Sequence, residues 1–239
     1  MRLEGQMALI TGASRGLGLA IARALAAEGA GVACLARAGA ELDAAVAALR
    51  AEGADAIGVA ADVTRWDEVE RAVAKAVAHR GRLDILVSNA GTWKGARLEE
   101  TSEAMWDQML DLNLKGAFLA LRHALPHLRA RPSATIVGIA SIGGWVGSPG
   151  SSAYAASKWG LRGLLESVAL EVKDRRIRVS IVSPHNINSA GRSIPPAERD
   201  AHLETAEIAS LVAWICAQPP HVSVGNVSIW PLAAGIVAR

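Results

Sequence analysis

Tyrosine occurs once in this chain of 239 residues and phenylalanine once, beside seven tryptophans. Cysteine is almost as scarce. Cys34 and Cys216 lie far apart in apolar surroundings, outside any Cys-x-x-Cys spacing, so they read as two buried free thiols in a reducing compartment. Charge of one sign is also lacking: the net charge is +2 with both signs interspersed, which leaves no basic stripe for nucleic acid and no acidic tail for a cationic partner. No apolar stretch reaches the ~18 uninterrupted residues of a membrane span. The N-terminus enters a strand-like run, Gln6–Thr11, without a basic and then apolar leader. A soluble, cytoplasmic protein with no membrane partner is the expectation. Hydrophobic residues make up 51% and charged residues 20%, which suits a well-buried core and one large domain over residues 1–239.

What is present alternates regularly. Short aliphatic runs at Ala8–Thr11, Gly31–Ala36, Ala56–Ala60, Ile85–Ser88, Thr135–Ala140, Val179–Ser183 and Val227–Trp230 predict strands. Between them, Gly16–Glu28, Ala40–Glu52, Trp66–His79, Ser102–Leu128, Ser152–Lys173 and Thr205–Ala217 carry helical periodicity. Strands with little internal alternation suit a parallel sheet covered on both faces. Strand–helix alternation then gives right-handed βαβ units, so the fold class is α/β: a doubly wound, seven-stranded Rossmann-type sheet with helices on both faces. The polar, proline-marked stretch 186–204 reads as a substrate-side flap on that single domain.

The lone tyrosine sits in Tyr154-Ala-Ala-Ser-Lys158. Residues four apart share a helix face, so phenol and ammonium would point into one space. A phenol titrates near ~10, and a neighbouring cation would draw it toward the working range. The first strand ends in Thr11-Gly-Ala-Ser-Arg-Gly-Leu-Gly18 before a helix. Glycines at 12, 16 and 18 allow a tight turn and close approach of a pyrophosphate to free N–H groups at the helix start. The literal Gly-x-Gly-x-x-Gly pattern is absent.

The spacing Thr-Gly-x-x-x-Gly-x-Gly, with the matches that follow it, resembles the short-chain dehydrogenases/reductases over nearly the whole chain. Asp62-Val63 follows the third strand, Asn89-Ala90-Gly91 the fourth, Ser141 the fifth, and Asn113 lies in Asp111-Leu-Asn-Leu-Lys-Gly116. The resemblance implies four catalytic residues. Tyr154 would exchange a proton with the carbonyl or alcohol oxygen, Ser141 would hold that oxygen, Lys158 would lower the phenol pKa and bind the nicotinamide ribose, and Asn113 would bind a water leading to solvent. It implies cofactor contacts from Gly12, Ser14, Arg15, Gly16, Leu17 and Gly18, from Asp62 and Val63, from Asn89, Ala90 and Gly91, from Tyr154 and Lys158, and from Pro184, Ile187 and Ser189. No metal site is expected, His123 and His127 being read as a solvated helix face.

An NAD enzyme of this type needs an acid at the end of the second strand to accept from the ribose hydroxyls. Ala36 stands there, Arg37 follows it, and Arg15 lies in the glycine turn. Two guanidiniums and no carboxylate favour the 2′-phosphate of NADP(H). Pro184-His185 replaces the family's usual Pro-Gly, which puts the loop in question if that position requires φ > 0. Gly225-Asn-Val-Ser-Ile-Trp-Pro231 replaces the usual Asp-Gly-Gly, and that ending resembles the NADP-dependent branch acting on small hydroxy acids, aldehydes and ketones. Trp93, Trp145 and Trp159 flank the motifs and are candidates for an apolar pocket wall. The expected function is NADPH-dependent, reversible reduction of a small ketone or aldehyde. The alternatives are a 3-oxoacyl-(acyl-carrier-protein) reductase and a catalytically silent NADP(H)-binding regulator. Family resemblance implies a homotetramer or dimer.

Overall fold

The computed structural model describes residues 1–189, 195 and 200–234. Among the described residues, nine strands are interspersed with seven α-helices. The first half runs β1 (Met7–Thr11), α1 (Gly16–Ala27), β2 (Gly31–Ala36), α2 (Ala40–Ala51), β3 (Ala56–Ala60), α3 (Trp66–Arg80) and β4 (Ile85–Ser88). The second runs α4 (Glu103–Leu110), α5 (Gly116–Arg129), β5 (Ala134–Ile139), α6 (Ser152–Val172), β6 (Ile177–Pro184), β7 (Ile187–Asn188), β8 (Leu203–Glu204), α7 (Thr205–Cys216) and β9 (Asn226–Ile229).

Seven of the strands form one parallel sheet in the order β3-β2-β1-β4-β5-β6-β9. Every residue of β1, β4 and β5 is buried, because both faces are covered. Alternate residues feed opposite cores. Met7, Leu9, Leu35 and Leu86 pack toward α3, α5 and α6. Ala8, Ile10, Val32 and Val87 pack toward α1, α2 and α7. Each fully buried Leu or Ile contributes roughly 1.5–3 kcal/mol by leaving water. The chain winds one way from β1 to β3 and the other way from β4 onward, so β1 and β4 diverge at a topological switch point. A ligand crevice belongs outside the carboxyl ends of strands there.

Helix ends follow local chemistry. Ser102 caps α4 by accepting from Met105 N at 3.2 Å. Asp67 and Glu68 open α3, His79 and Arg80 close it, and Gly81 at φ 68° stops it. The stretch predicted as one helix over Ser102–Leu128 is instead broken by a π-helical turn, Asp111–Lys115, between α4 and α5. The extra residue per turn rotates Asn113 into the interior, where it is fully buried. The last strand begins one residue earlier than predicted, at Asn226.

Within the stretch predicted as a flap, β7 pairs with β8, Ile187 opposite Leu203 and Asn188 opposite Glu204. Residues 190–194 and 196–199 of that flap lie outside the described residues. No described helix is long and apolar enough to cross a membrane.

Candidate active site

Two loops meet at the switch point. Gly12, at φ 68°, turns the chain out of β1, and its N–H and that of Ala13 donate to Leu35 O at 2.7 and 3.2 Å. A Cβ on Gly12 would stand 2.9 Å from Ala90 Cα, and one on Gly18 would collide with Gly12 O. Only glycine permits that approach of backbone to backbone. Asn89 locks the second loop to the first: its Nδ2 donates to Thr11 O at 2.9 Å, while Asn89 N and Ala90 N both donate to Thr11 Oγ1 at 2.9 Å. Arg15, the N-cap of α1, makes no side-chain cap, so the helix start keeps N–H groups for an anion. The cradle suits a pyrophosphate and would be filled by any Cβ.

On the β2 side, Ala36 is half-buried and Arg37 exposed. Arg15 forms an exposed pair with Glu41 at 3.4 Å. Asp62 accepts from Thr64 N at 2.9 Å and Thr64 Oγ1 at 2.8 Å. The backbone bond from Thr64 is the main reason its carboxyl is held below the usual range, with smaller help from Arg37 and Arg65. Val63 is buried, close enough to Gly116 that a Cβ there would lie 2.9 Å from Val63 Cγ2.

At the ends of β5 and β6 lies a cavity of about 550 Å³. Ser141, Tyr154 and His185 line it, with Trp93, Val146 and Ile187 among its apolar walls. Ser141 opens a 3-10 turn by accepting from Gly143 N at 3.1 Å, and its hydroxyl lies close enough to the Tyr154 phenol to draw that group's pKa down. Lys158, one turn further along α6, is buried; its Nζ donates to Ile139 O at 2.9 Å and sits 5.9 Å from the Tyr154 ring centroid. Burial pushes the ammonium down from 10.5 to about 8. Burial raises the pKa of Tyr154, and Ser141 opposes the rise. Lys158 reaches past the ring to the Ile139 carbonyl, and with its pKa at about 8 it remains mainly charged at neutral pH.

The Asn113 side chain is held by two neighbours. Its Nδ2 donates to Thr92 O at 3.0 Å and Ser157 Oγ at 2.9 Å, and its Oδ1 accepts from Thr92 N at 2.8 Å. One Oδ1 lone pair is left, and a Cβ on Gly91 would stand 3.0 Å from that oxygen. Ser157 Oγ in turn donates to Tyr154 O at 2.7 Å. Thr92 and Ser157 thus tie the loop after β4 to the tyrosine's own turn. Neither was singled out from sequence, although Ser157 precedes Lys158 in the motif itself.

Other residues separate more widely. Pro184 and Ile187 line the cavity; Ser189 is exposed and does not. His185 has negative φ, since Arg176 is the only described non-glycine residue on the positive side, so the lost glycine leaves the turn unstrained. Trp93 lines the cavity as expected. Trp145 does not: its Nε1 donates to Ser183 Oγ at 3.0 Å, and Arg162 stacks on its ring at 3.5 Å. Trp159 is exposed and also outside the wall. His123 packs edge-on to Trp66 at 4.5 Å between ring centroids, not on a solvated face. No group of three described His, Cys, Asp or Glu residues could hold a metal ion.

The family model for short chain dehydrogenase matches residues 6–196. The chain belongs to the short chain dehydrogenase family. That places it among oxidoreductases. It is similar to the 3-oxoacyl-(acyl-carrier-protein) reductase of Staphylococcus aureus, 40% identical over 178 residues, which are 74% of this chain and 72% of that one. Among solved structures it resembles a metagenomic short-chain oxidoreductase in complex with NADP, TM-score 0.85 at 36% identity, covering 97% and 99% of the two chains. It also resembles a short chain dehydrogenase from Burkholderia cenocepacia in complex with NADP, TM-score 0.88 at 32% identity, covering 97% and 98%. The two solved structures match this chain over almost the full length of each.

Proposed function

We propose that this protein is an NADPH-dependent reductase of a small ketone or aldehyde, working reversibly. The observation that carries the reading is the Ser141–Tyr154 hydroxyl pair on the cavity wall, with Lys158 buried one turn beyond. Gly12, Ser14, Arg15, Gly16, Leu17 and Gly18 would hold the pyrophosphate, Asp62 and Val63 the adenine, and Asn89, Ala90 and Gly91 the floor of the site. Tyr154, Lys158, Pro184, Ile187 and Ser189 would face the nicotinamide end. When bound, the cofactor supplies the hydride that reaches the carbonyl carbon.

Tyr154 gives its phenolic proton to the carbonyl oxygen as the C–O π pair moves there. A phenol with a raised pKa remains protonated at neutral pH, which suits a proton donor. Ser141 donates a second hydrogen bond to the same oxygen, worth most as charge develops in the transition state. Lys158, buried and near about 8, is the nearest group able to return a proton to the phenolate. Asn113 positions this machinery by fixing Thr92 and the Ser157–Tyr154 turn. No Asp, Glu, Lys or Arg lines the cavity among the described residues, which favours an uncharged reacting end.

Ala36, Arg37 and Arg15 support NADP(H) over NAD(H). Arg15 would leave Glu41 to reach a 2′-phosphate, and an exposed pair is worth only ~0–1 kcal/mol, so the exchange costs little. The NADP complexes of similar proteins agree with this choice. A second substrate reading, a 3-oxoacyl thioester on a carrier protein, rests on the 40% identity to the staphylococcal reductase. NADPH oxidation measured with simple ketones and with a 3-oxoacyl thioester tests both. Turnover of the thioester alone would replace the first reading by the second, and turnover of neither would refute the reductase.

A further inference from the structure

The turn that begins at Ser141 is tied at both ends to consecutive residues of β6. Ala140 N, just before it, donates to Val182 O at 2.8 Å. Trp145, which ends it, donates from Nε1 to Ser183 Oγ at 3.0 Å. Ser183 is buried, where an unmade hydrogen bond costs most. Between the two ties the turn is held close to α6 by its glycines. A Cβ on Gly143 would stand 3.0 Å from Tyr154 Cε1, and one on Gly144 would stand 3.0 Å from Lys158 O. Ile142 and Val146 line the cavity, which leaves Trp145 as the side chain that ties the turn to the sheet. Beyond it, residues 147–149 are exposed, and a Cβ on Gly147 would meet nothing within 4 Å.

The indole is itself held. The Arg162 guanidinium carbon lies 3.5 Å from the centroid of its ring, well inside cation–π range. Arg162 Nε donates to Glu166 Oε1 at 2.8 Å, and Asn226 Nδ2 of β9 donates to the same oxygen at 3.2 Å. Trp145 thus has its N–H edge fixed by β6 and its ring stacked from α6, the helix that carries Tyr154 and Lys158.

We infer that Trp145, stacked on Arg162, is a positioning residue: it fixes the turn that keeps Ser141 beside Tyr154, and it acts on the reaction through that serine. The effect on turnover rests on the reductase reading; the placement of Ser141 does not, and two readouts keep them apart.

The first readout is kcat with NADPH and acetophenone, cyclohexanone or 2-octanone, whichever the wild type reduces fastest. Trp145→Leu lowers kcat about ten- to hundredfold with NADPH affinity unchanged, because a displaced donor loses its hold on the developing charge. Trp145→Phe, which keeps a ring for Arg162, retains more activity than the leucine variant. In a Ser141→Ala background the leucine substitution changes kcat by about twofold or less. The second readout is ionisation of the chain's single tyrosine, followed by ultraviolet absorbance with no substrate or cofactor present. Ser141 draws that phenol's pKa down. Trp145→Leu therefore moves the titration to higher pH, as Ser141→Ala does, and the two together move it no further than Ser141→Ala alone. Should the leucine variant not fold, Ser183→Ala removes the same hydrogen bond from the other side and is read in its place. Losses that multiply in the double variant, an unchanged kcat, a loss confined to NADPH affinity, or a titration that does not move would overturn the inference and leave the reductase intact. A wild type that reduces no ketone counts against the reductase reading, and the titration alone then decides whether Trp145 places Ser141.

Discussion

Asn113 and Thr92 grip each other at both ends: the amide Nδ2 donates to Thr92 O at 3.0 Å, and Thr92 N donates back to Oδ1 at 2.8 Å. The exchange mimics a backbone pair and ties the loop after β4 to the π-helical turn. Asn113→Ala removes the side-chain partner of Thr92 N and Thr92 O and one of the two partners of Ser157 Oγ. We expect a loss of about 1–3 kcal/mol in denaturant unfolding. We also expect a fall in kcat that exceeds the change in KM, because the Ser157–Tyr154 turn loosens while the cavity walls remain. A variant as stable and as active as the wild type would show the grip to be incidental.

Lys158 gives a pH signature. Its folded pKa, about 8, is depressed from 10.5, so the fold disfavours the charged form. The unfolded chain then binds more protons between those values, and stability rises with pH across that window. The cost is full below pH about 8 and is relieved by about 10.5. Lys158→Met removes it, so the variant's stability relative to wild type is greatest at neutral pH and declines as pH rises through that window. Equilibrium unfolding at several pH values would show a constant difference if Lys158 were not desolvated.

For the cofactor, Arg37→Ala should weaken NADPH binding by about tenfold, ~1.4 kcal/mol, and leave NADH nearly unchanged. Titration of each coenzyme by protein fluorescence reads this directly. Equal losses for both would place Arg37 outside the 2′-phosphate site.

Much of the fold was legible because its strands are apolar runs and its helices periodic, as burial on both faces of a parallel sheet demands. The glycine turn was legible because backbone approach admits no side chain at Gly12 and Gly18. The π-helical turn was not, since an inserted residue leaves composition and propensity unchanged. Two-residue strands such as β7 and β8 are too short for any period. Tyr154 and Lys158 were found together, but how deeply the phenol is buried, which raises its pKa, is not encoded in the spacing. Trp145 flanks a motif as Trp93 does, yet its indole turns to Ser183.

Arg178 was equally hidden, a lone basic residue in a strand. Its guanidinium donates to Gln218 O at 2.7 Å, Cys216 O at 3.1 Å and Thr135 Oγ1 at 2.6 Å, closing the carboxyl end of α7 onto the sheet with no carboxylate involved. Arg178→Met should cost about 2–4 kcal/mol, because several part-buried acceptors lose their donor together. A melting temperature within a degree or two of wild type would contradict that.

The central claim is that Tyr154 is the proton donor of a carbonyl reduction. Wild type and Tyr154→Phe should be mixed with NADPH and a panel of ketones, 3-oxo esters and 3-oxoacyl thioesters, following loss of NADPH absorbance. The account predicts turnover by the wild type on at least one group, abolished in Tyr154→Phe with NADPH binding preserved. Undiminished turnover in Tyr154→Phe, or NADPH binding by the wild type with no turnover on any substrate, would contradict it.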